Sequence, residues 1–316
     1  MDSLYRIPNP KNWPKDYIDR IFESDALNFL KKLPDECVAL VVTSPPYWNA
    51  KDYEHPQQIG QSSYEEYLEE LLKVWKETER VLIPNGKLTI VTPILPIPKK
   101  DNSEHHTRHY KNINNDIEHK ILEKTYLQRY SLFIWQKQTS EKMFGSYPYP
   151  PNLYEDNTIE FINVLVKPGK PPTIPKEAKE PSKIDQIEWR NLTMQVWPMY
   201  PADVKRSGGH PAPFPIVLPQ RLIMMYTFSV DPKTQFEGDI VLDMFNGTGA
   251  TCLAAKALNR HYIGVDLNPE YCRRAENRIK TGDYWEGIDP YSILLEFPKV
   301  KNPRSSRQLD LFPTKL

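Results

Sequence analysis

The sequence predicts an α/β chain built on a doubly wound, mostly parallel sheet with an antiparallel hairpin at one edge. Three observations carry that expectation: a strand–helix–strand pattern near the N-terminus, a second one near the C-terminus, and two β-branched and aromatic runs between them. In the first block, residues 38–43 (Val-Ala-Leu-Val-Val-Thr) form a short continuous apolar run, which suits a strand buried on both faces. A helix is predicted over about 63–82. Ser63 and Glu66 have the spacing of a capping box, and Tyr64, Tyr67, Leu68, Leu71, Leu72 and Trp75 recur at helical intervals. Pro84-Asn85-Gly86 stops this helix, and residues 87–92 read as the next strand.

The second block repeats the logic. Residues 240–245 (Ile-Val-Leu-Asp-Met-Phe) read as a strand, Asn246-Gly-Thr-Gly249 as a turn and 250–258 as a helix. Residues 261–266 are a further strand, and Pro269, at an early helical position, opens a helix reaching 279. Between the blocks, residues 130–135 and 159–166 read as the two strands of the hairpin. Residues 96–115 are polar and aperiodic, and 167–209 are rich in Pro and Lys, so both are expected to be irregular.

Composition narrows the function classes. The chain has 316 residues, enough to bury a sizeable core. Its 41 Lys plus Arg balance 41 Asp plus Glu. That balance excludes a wholly basic nucleic-acid coat and an acidic solubilising chain, while a local basic cleft remains compatible with it. A mean hydropathy of −0.61 without a long apolar run excludes a membrane-spanning helix. Residues 1–13 lack the apolar stretch of a signal peptide, so a cytoplasmic protein is expected. Cys37, Cys252 and Cys272 lie far apart without metal spacing and fit buried thiols of a reducing compartment. The 31 prolines concentrate in the middle of the chain and imply extended segments there.

Two motifs point to chemistry. Asp243-Met-Phe-Asn-Gly247-Thr-Gly249 sits between a strand and a helix, where glycines let the backbone approach a ligand. The next strand ends in Asp266, placed to accept both hydroxyls of a ribose. Cys252 stands where pyrophosphate binders carry a third Gly or Ala, so a nucleoside cofactor without a pyrophosphate fits better than a dinucleotide. A tight strand–helix turn without a ligand is the plain structural alternative.

The second motif, Ser44-Pro45-Pro46-Tyr47-Trp48, ends the strand of the first block. Its prolines have no N–H, so the carbonyls of Ser44 and Pro45 are not consumed by those donors in a local turn. A hydroxyl, free carbonyls and aromatic faces together suit a planar ring carrying an exocyclic amine. The ring would stack on Tyr47 while the amine donates to Ser44 Oγ and the Pro45 carbonyl. The bland alternative is a Pro-Pro strand terminator flanked by core aromatics.

Taken together, the two motifs resemble the S-adenosylmethionine-dependent amino-DNA methyltransferases of the N4-cytosine type, which carry Ser-Pro-Pro-Tyr; the N6-adenine enzymes more often carry Asp-Pro-Pro-Tyr. Ser-Pro-Pro-Tyr standing before the glycine motif resembles the permuted beta arrangement of that family. Asp25 in Phe22-Glu-Ser-Asp-Ala-Leu27, the stretch Asn157-Thr-Ile-Glu-Phe161, and His210-Pro-Ala-Pro-Phe-Pro215 followed by Leu218-Pro-Gln-Arg-Leu-Ile223 match further family pieces. The resemblance implies a Rossmann-like class I methyltransferase fold and methyl transfer to the N4 amine of a flipped cytosine in duplex DNA, within a bacterial restriction–modification system. N6-adenine transfer is the alternative. It also implies roles for residues. Ser44, Pro45, Pro46 and Tyr47 hold the base. Phe245, Asn246, Gly247, Thr248 and Gly249 shape the cofactor pocket, Asp266 binds the ribose and Asp25 the adenine amine. Asp243, with Phe214 and Pro215, lies toward the methionine end.

On the same resemblance, residues 1–166 and 210–285 are two halves of one catalytic domain. Residues 167–209 are the candidate target-recognition segment, loop 96–127 a second candidate, and 286–316 a tail. Trp48, Lys99, Lys100, Arg108, Lys205 and Arg206 are candidate DNA contacts, alongside Lys167 and other lysines of the central segment. His105, His106 and His109 have no partners at metal spacing, so no metal is expected. Gln308-Leu-Asp-Leu-Phe312 resembles the short peptide by which bacterial DNA enzymes dock on the replication sliding clamp; an apolar tail folding back on its own domain is the alternative. A monomer or weak dimer, working at the nucleoid, completes the expectation.

Overall fold

The computed structural model of the chain describes residues 13–48, 58–97, 109–137, 145–200 and 214–282. The N-terminal half runs β1 (Arg20–Glu23), α1 (Ala26–Leu30), β2 (Val38–Thr43), α2 (Tyr64–Val81), β3 (Leu82–Thr92), the short strands β4 (Leu95–Ile97) and β5 (His109–Lys111), then α3 (Ile113–Lys124). It continues through β6 (Gln128–Lys137), β7 (Ile159–Val166), α4 (Lys176–Lys179), α5 (Gln186–Leu192), β8 (Val196–Met199) and α6 (Val217–Tyr226). The last elements are β9 (Ile240–Asp243), α7 (Ala250–Ala257), β10 (His261–Asp266) and α8 (Pro269–Thr281). Eight strands form one sheet in the order β1-β10-β9-β2-β3-β7-β6-β8, while β4 and β5 pair separately. Within that sheet β7 alone runs against the others, since it is antiparallel to both β3 and β6 and every other pairing is parallel.

Helices cover both faces, which is why the strands read as unbroken apolar runs. Val41, Leu88 and Ile90 face α1, α2 and α3 through Phe29, Tyr67, Trp75 and Ile117. Leu40, Val42 and Val91 face α6, α7 and α8 through Leu222, Leu253 and Ile279. Fully burying side chains of this size contributes roughly 1.5–3 kcal/mol each. The capping box forms as predicted: Glu66 N–H donates to Ser63 Oγ at 3.3 Å and Ser63 N–H donates to Glu66 Oε2 at 3.1 Å.

Four expectations change. The hairpin of β6 and β7 lies inside the sheet, because β8 adds a further strand beside β6. Pro84-Asn85-Gly86 forms a bulge within β3, which already begins at Leu82; the register slips between Val38 and Leu40 to take it up. Residues 113–124, inside the loop 96–127 taken as a second recognition candidate and overlapping the end of the stretch 96–115 read as irregular, are a helix capped by Asn112, with Ile113, Ile117 and Ile121 buried. Lys167, expected at phosphate, instead caps the end of α2: its Nζ donates to Leu82 O at 2.7 Å and pairs with Glu36 at 3.2 Å.

The segment 167–209 also divides. Ser182 Oγ accepts from Ser229 N–H at 2.7 Å and lies 3.4 Å from Arg260 Nη2, beside the starts of β9 and β10. That is the N-terminal edge of the parallel strands. β8 then carries the chain across the sheet, and only from Met199 onward does it stand at the C-terminal edge. Trp197 of β8 is fully buried, stacked on Phe133 with ring centroids 4.5 Å apart and covered by the Arg221 guanidinium at 4.7 Å. The outer strand is therefore core. Trp197→Ala should lower the unfolding free energy in chemical denaturation by about 3–5 kcal/mol, whereas a loop residue dedicated to DNA would leave it within about 0.5 kcal/mol.

Candidate active site

Open α/β sheets bind ligands beyond the C-terminal ends of their strands, where the order reverses. Here that point lies between β9 and β2, paired in parallel at Leu40↔Val241 and Val41↔Leu242. β9 runs into the glycine turn and β2 into Ser-Pro-Pro-Tyr, so the two motifs leave adjacent strands at one edge.

Asp243 locks them together. Its Oδ1 accepts from Thr43 Oγ1 at 2.7 Å and from Phe245 N–H at 3.1 Å, and its Oδ2 accepts from Thr251 Oγ1 at 2.8 Å. The side chain is 1% exposed. The carboxylate expected toward the methionine end is thus enclosed, and its oxygens bind the last residue of β2 and the first turn of α7.

The turn itself has two glycines with positive φ, +49° at Gly247 and +84° at Gly249. A Cβ on Gly249 would stand 2.8 Å from Ala275 Cβ of α8, so only glycine lets the two helices close there. Gly247 N–H donates to Asp266 Oδ2 at 2.7 Å, and Asn268 N–H donates to Asp266 Oδ1 at 2.9 Å. Asp266 is half-buried at the end of β10. Carboxylate oxygens have two lone pairs each and can accept more than one hydrogen bond apiece. Asn246 and Thr248 are buried; Asn246 Oδ1 accepts from Cys252 Sγ at 3.1 Å, which gives the cysteine in place of the third glycine a packing role. All three cysteines are buried free thiols.

Asp25 follows β1, whose Glu23 is in register with Asp266 of β10. It caps α1, its Oδ1 accepting from Asn28 N–H at 2.8 Å. Asp25, the glycine turn and Asp266 therefore share one edge, with Phe245 against Trp75 at 6.3 Å between centroids. An acidic, glycine-floored cradle of this kind fits an uncharged adenosine with diol and amine donors better than a phosphate. Phe214 is half-buried and Pro215 buried just before α6, where Pro215 O accepts from Leu218 N–H at 3.0 Å.

On the other side of the switch point, Ser44 Oγ lies 3.0 Å from Val91 O, to which it donates, and 3.0 Å from Tyr47 Oη. Tyr47 is 8% exposed, and its hydroxyl donates to Glu160 Oε2 at 3.2 Å. Pro45 is buried; Pro46 O accepts from Tyr67 Oη of α2 at 2.9 Å. Trp48, expected at the DNA, packs against Tyr64 with centroids 5.1 Å apart, and its indole N–H is spent on Ser62 O at 2.8 Å. It anchors the loop to α2. Lys99, Lys100, Arg108, Lys205, Arg206 and the tail Gln308–Phe312 lie outside the described residues.

Sequence reasoning passed over Thr43, Thr251 and Glu160. The first two look like ordinary strand and helix residues, and only their convergence on Asp243 shows their use. Glu160 did leave a signal, as the one charged residue in the largely apolar run 159–166.

The family profile of the N6 and N4 amino-methyltransferases, described as DNA methylase, matches residues 38–277. The chain belongs to the DNA methylase family. This methylase is 30% identical over 285 residues to the type II methyltransferase M.Cfr9I of Citrobacter freundii, covering 83% of this chain and 88% of that one. It is 26% identical over 319 residues to the type II methyltransferase M.BglI of Bacillus subtilis, covering 82% and 85%. Among solved structures it is similar to a DNA modification methylase of Thermus thermophilus complexed with S-adenosyl-L-methionine. The TM-score there is 0.66 at 30% identity, over 85% of this chain and 95% of that one. The cytosine-N4-specific PvuII DNA methyltransferase shares the fold at TM-score 0.59 and 19% identity, over 85% and 93%. The methylase thus has the class I methyltransferase fold that its sequence implied.

Burial pushes the Asp243 carboxyl up to about 6, against the opposing pull of the Thr43 and Thr251 hydroxyls and the Phe245 N–H. A carboxyl raised in the native state stabilises the fold while protonated. That contribution is complete below the unfolded value of about 3.9 and is lost as pH rises through about 6. Relative to Asp243→Asn, which does not titrate, the wild-type unfolding free energy should fall by about 2–3 kcal/mol between pH 4 and pH 7. Parallel pH profiles for the two proteins would show that Asp243 is not held this way.

Proposed function

We propose that this methylase transfers a methyl group from S-adenosylmethionine to the exocyclic N4 amine of a cytosine swung out of duplex DNA, as the modifying half of a type II restriction–modification pair. The observation that carries the proposal is a serine hydroxyl, rather than a carboxylate, at the strand end beside the glycine turn. Ser44 is held there by Val91 O and Tyr47 Oη, each at 3.0 Å.

The division of labour follows the sheet. Asp25, Phe245, Gly247, Gly249 and Asp266 hold the nucleoside end of the cofactor, and Phe214 and Pro215 close on its other end. Bound there, the cofactor supplies a methyl group already activated by a positive sulfur. Ser44 Oγ and the Pro45 carbonyl accept hydrogen bonds from the two N–H groups of the amine, one of which is given up as a proton to solvent once the nitrogen has taken the methyl group from sulfur. They draw the nitrogen lone pair out of conjugation with the ring, and the aromatic face of Tyr47 supports the base. The remaining contribution of the protein is orientation, which is worth several kcal/mol when reacting groups are held at near-contact distance. The base must leave the stack to reach this edge.

DNA recognition falls to segments that leave the sheet at its C-terminal edge. In the main sheet β3 reaches that edge at Thr92 and β6 at Lys137, β7 leaves it at Ile159 and β8 returns to it at Met199, so residues 98–108, 138–158 and 200–213, which lie between these strand ends in the chain, are the better candidates. Within the segment 167–209 this keeps Lys205 and Arg206 and sets aside residues 167–183. Contacts from these lysines and arginines would neutralise phosphates and make binding salt-dependent. The tail Gln308–Phe312 is proposed as a clamp-docking peptide on its sequence alone.

The test is nucleoside mass spectrometry of duplex DNA after incubation with the purified methylase and labelled cofactor. N4-methylcytosine is the expected product; N6-methyladenine would replace the cytosine assignment by the alternative. Ser44→Ala should lower turnover about 10–100-fold, the effect of one lost hydrogen bond to a charge-developing group, with cofactor affinity unchanged within about twofold.

A further inference from the structure

Serine is an ambiguous choice for holding an amine, because its hydroxyl donates as well as accepts. A site that must select an amine over a carbonyl needs that proton turned away from the base. Lys137, Glu160, Tyr47 and Ser44 form a chain that does so. Lys137 Nζ is 2.9 Å from Glu160 Oε1, Tyr47 Oη is 3.2 Å from Glu160 Oε2, and Ser44 Oγ is 3.0 Å from Tyr47 Oη. The Lys137 and Glu160 side chains are only 19% and 11% exposed.

We propose that Glu160 is a specificity-determining positioning residue that fixes the direction of the hydrogen bonds behind Ser44, so that the pocket accepts an exocyclic amine and rejects a keto oxygen. Tyr47 donates its O–H to Glu160 Oε2 and so points it away from Ser44. Ser44 in turn spends its own proton inward, on Val91 O or on Tyr47 Oη. What Ser44 presents outward is lone pairs alone. Lys137 pairs with that carboxylate in a nearly closed site, where an unpaired one would carry a heavy desolvation cost. Glu160 is in register with Trp135 on β6, and Lys137 lies two residues further along the same strand. The hairpin thereby delivers both members of the pair behind the last residues of β2.

The inference rests on the proposed function, since it explains how that pocket selects its base. The decisive substitution is Glu160→Gln, which keeps size and shape but supplies N–H donors. A glutamine N–H donating to Tyr47 Oη turns the Tyr47 proton onto Ser44 and removes a lone pair from the base. Duplexes carrying either cytosine or uracil at the methylated position serve as probes, because uracil offers O4, an acceptor, where cytosine offers N4–H. The ease with which a mispaired base flips is the same for both proteins and cancels when their cytosine-to-uracil affinity ratios are compared.

The expected result is a fall of roughly tenfold in that ratio for Glu160→Gln, with kcat/KM on DNA reduced in step and the KM for S-adenosylmethionine unchanged. An unchanged ratio in a folded, cofactor-binding variant would overturn the proposal. If the single variant does not fold because it leaves the Lys137 ammonium unpaired, Glu160→Gln combined with Lys137→Gln removes both charges and also the donor that orients the amide, so the direction of the chain is no longer set and the ratio falls by less than in the single variant; an unchanged ratio there would again overturn the proposal. Wild-type protein that methylates no DNA would instead defeat the functional reading beneath it, whatever the variants do.

Discussion

The structure turns on one buried carboxylate. Asp243 joins Thr43, Thr251 and the backbone of Phe245, and in doing so it fixes the end of β2 against the end of β9 and the start of α7. Those elements are about two hundred positions apart in the chain, and parallel pairing covers only two registered positions between β2 and β9. Inside a closed site of this kind, losing one of these partners leaves an uncompensated polar group. A side chain that the motif suggests for ligand contact therefore does its work by holding the two halves of the site in a common frame.

From that frame the site separates into two ends with different chemistry. The β1–β10–β9 side offers carboxylates and a glycine turn, suited to a diol and an amine. The β2–β3–β7 side offers a hydroxyl, a carbonyl and an aromatic ring, suited to a flat base. Methyl transfer from an activated donor asks little acid–base chemistry of a protein, so the investment is in rigidity. Trp48 is pinned to Ser62, Pro46 to Tyr67, and Asn157 Nδ2 donates to Ile94 O at 2.9 Å, tying the entry to β7 to the exit from β3.

Much of this is legible in the sequence because local patterns and burial agree. The run 38–43 is apolar at nearly every position since helices cover both of its faces, and the capping box at Ser63 sets the start of α2 to the residue. The bounds of β7 and β10 also coincide with the runs that announce them. Short elements are harder. α1 and β8 have five and four residues, too few for a period to emerge, and α3 is hidden by the polar face that Asn114, Asp116, Glu118 and Lys120 give it. Pro84-Asn85-Gly86 looks like a terminator because these residues favour turns wherever they occur; only pairing with β2 and β7 shows the turn to be a bulge inside a continuing strand.

By itself the sequence determined the alternation of strands and helices, the two motifs and the edge of the sheet at which each must end, because these follow from periodicity and from the backbone limits of proline and glycine. Tertiary structure decided which polar side chains meet. Asp243 became a lock because Thr43, two hundred positions away, points at it together with Thr251 of the neighbouring helix, Lys167 became a helix cap, and Glu160 came to stand behind Tyr47. Such pairings depend on strand order and register, and these are set by contacts between residues far apart along the chain, about which no local pattern carries information.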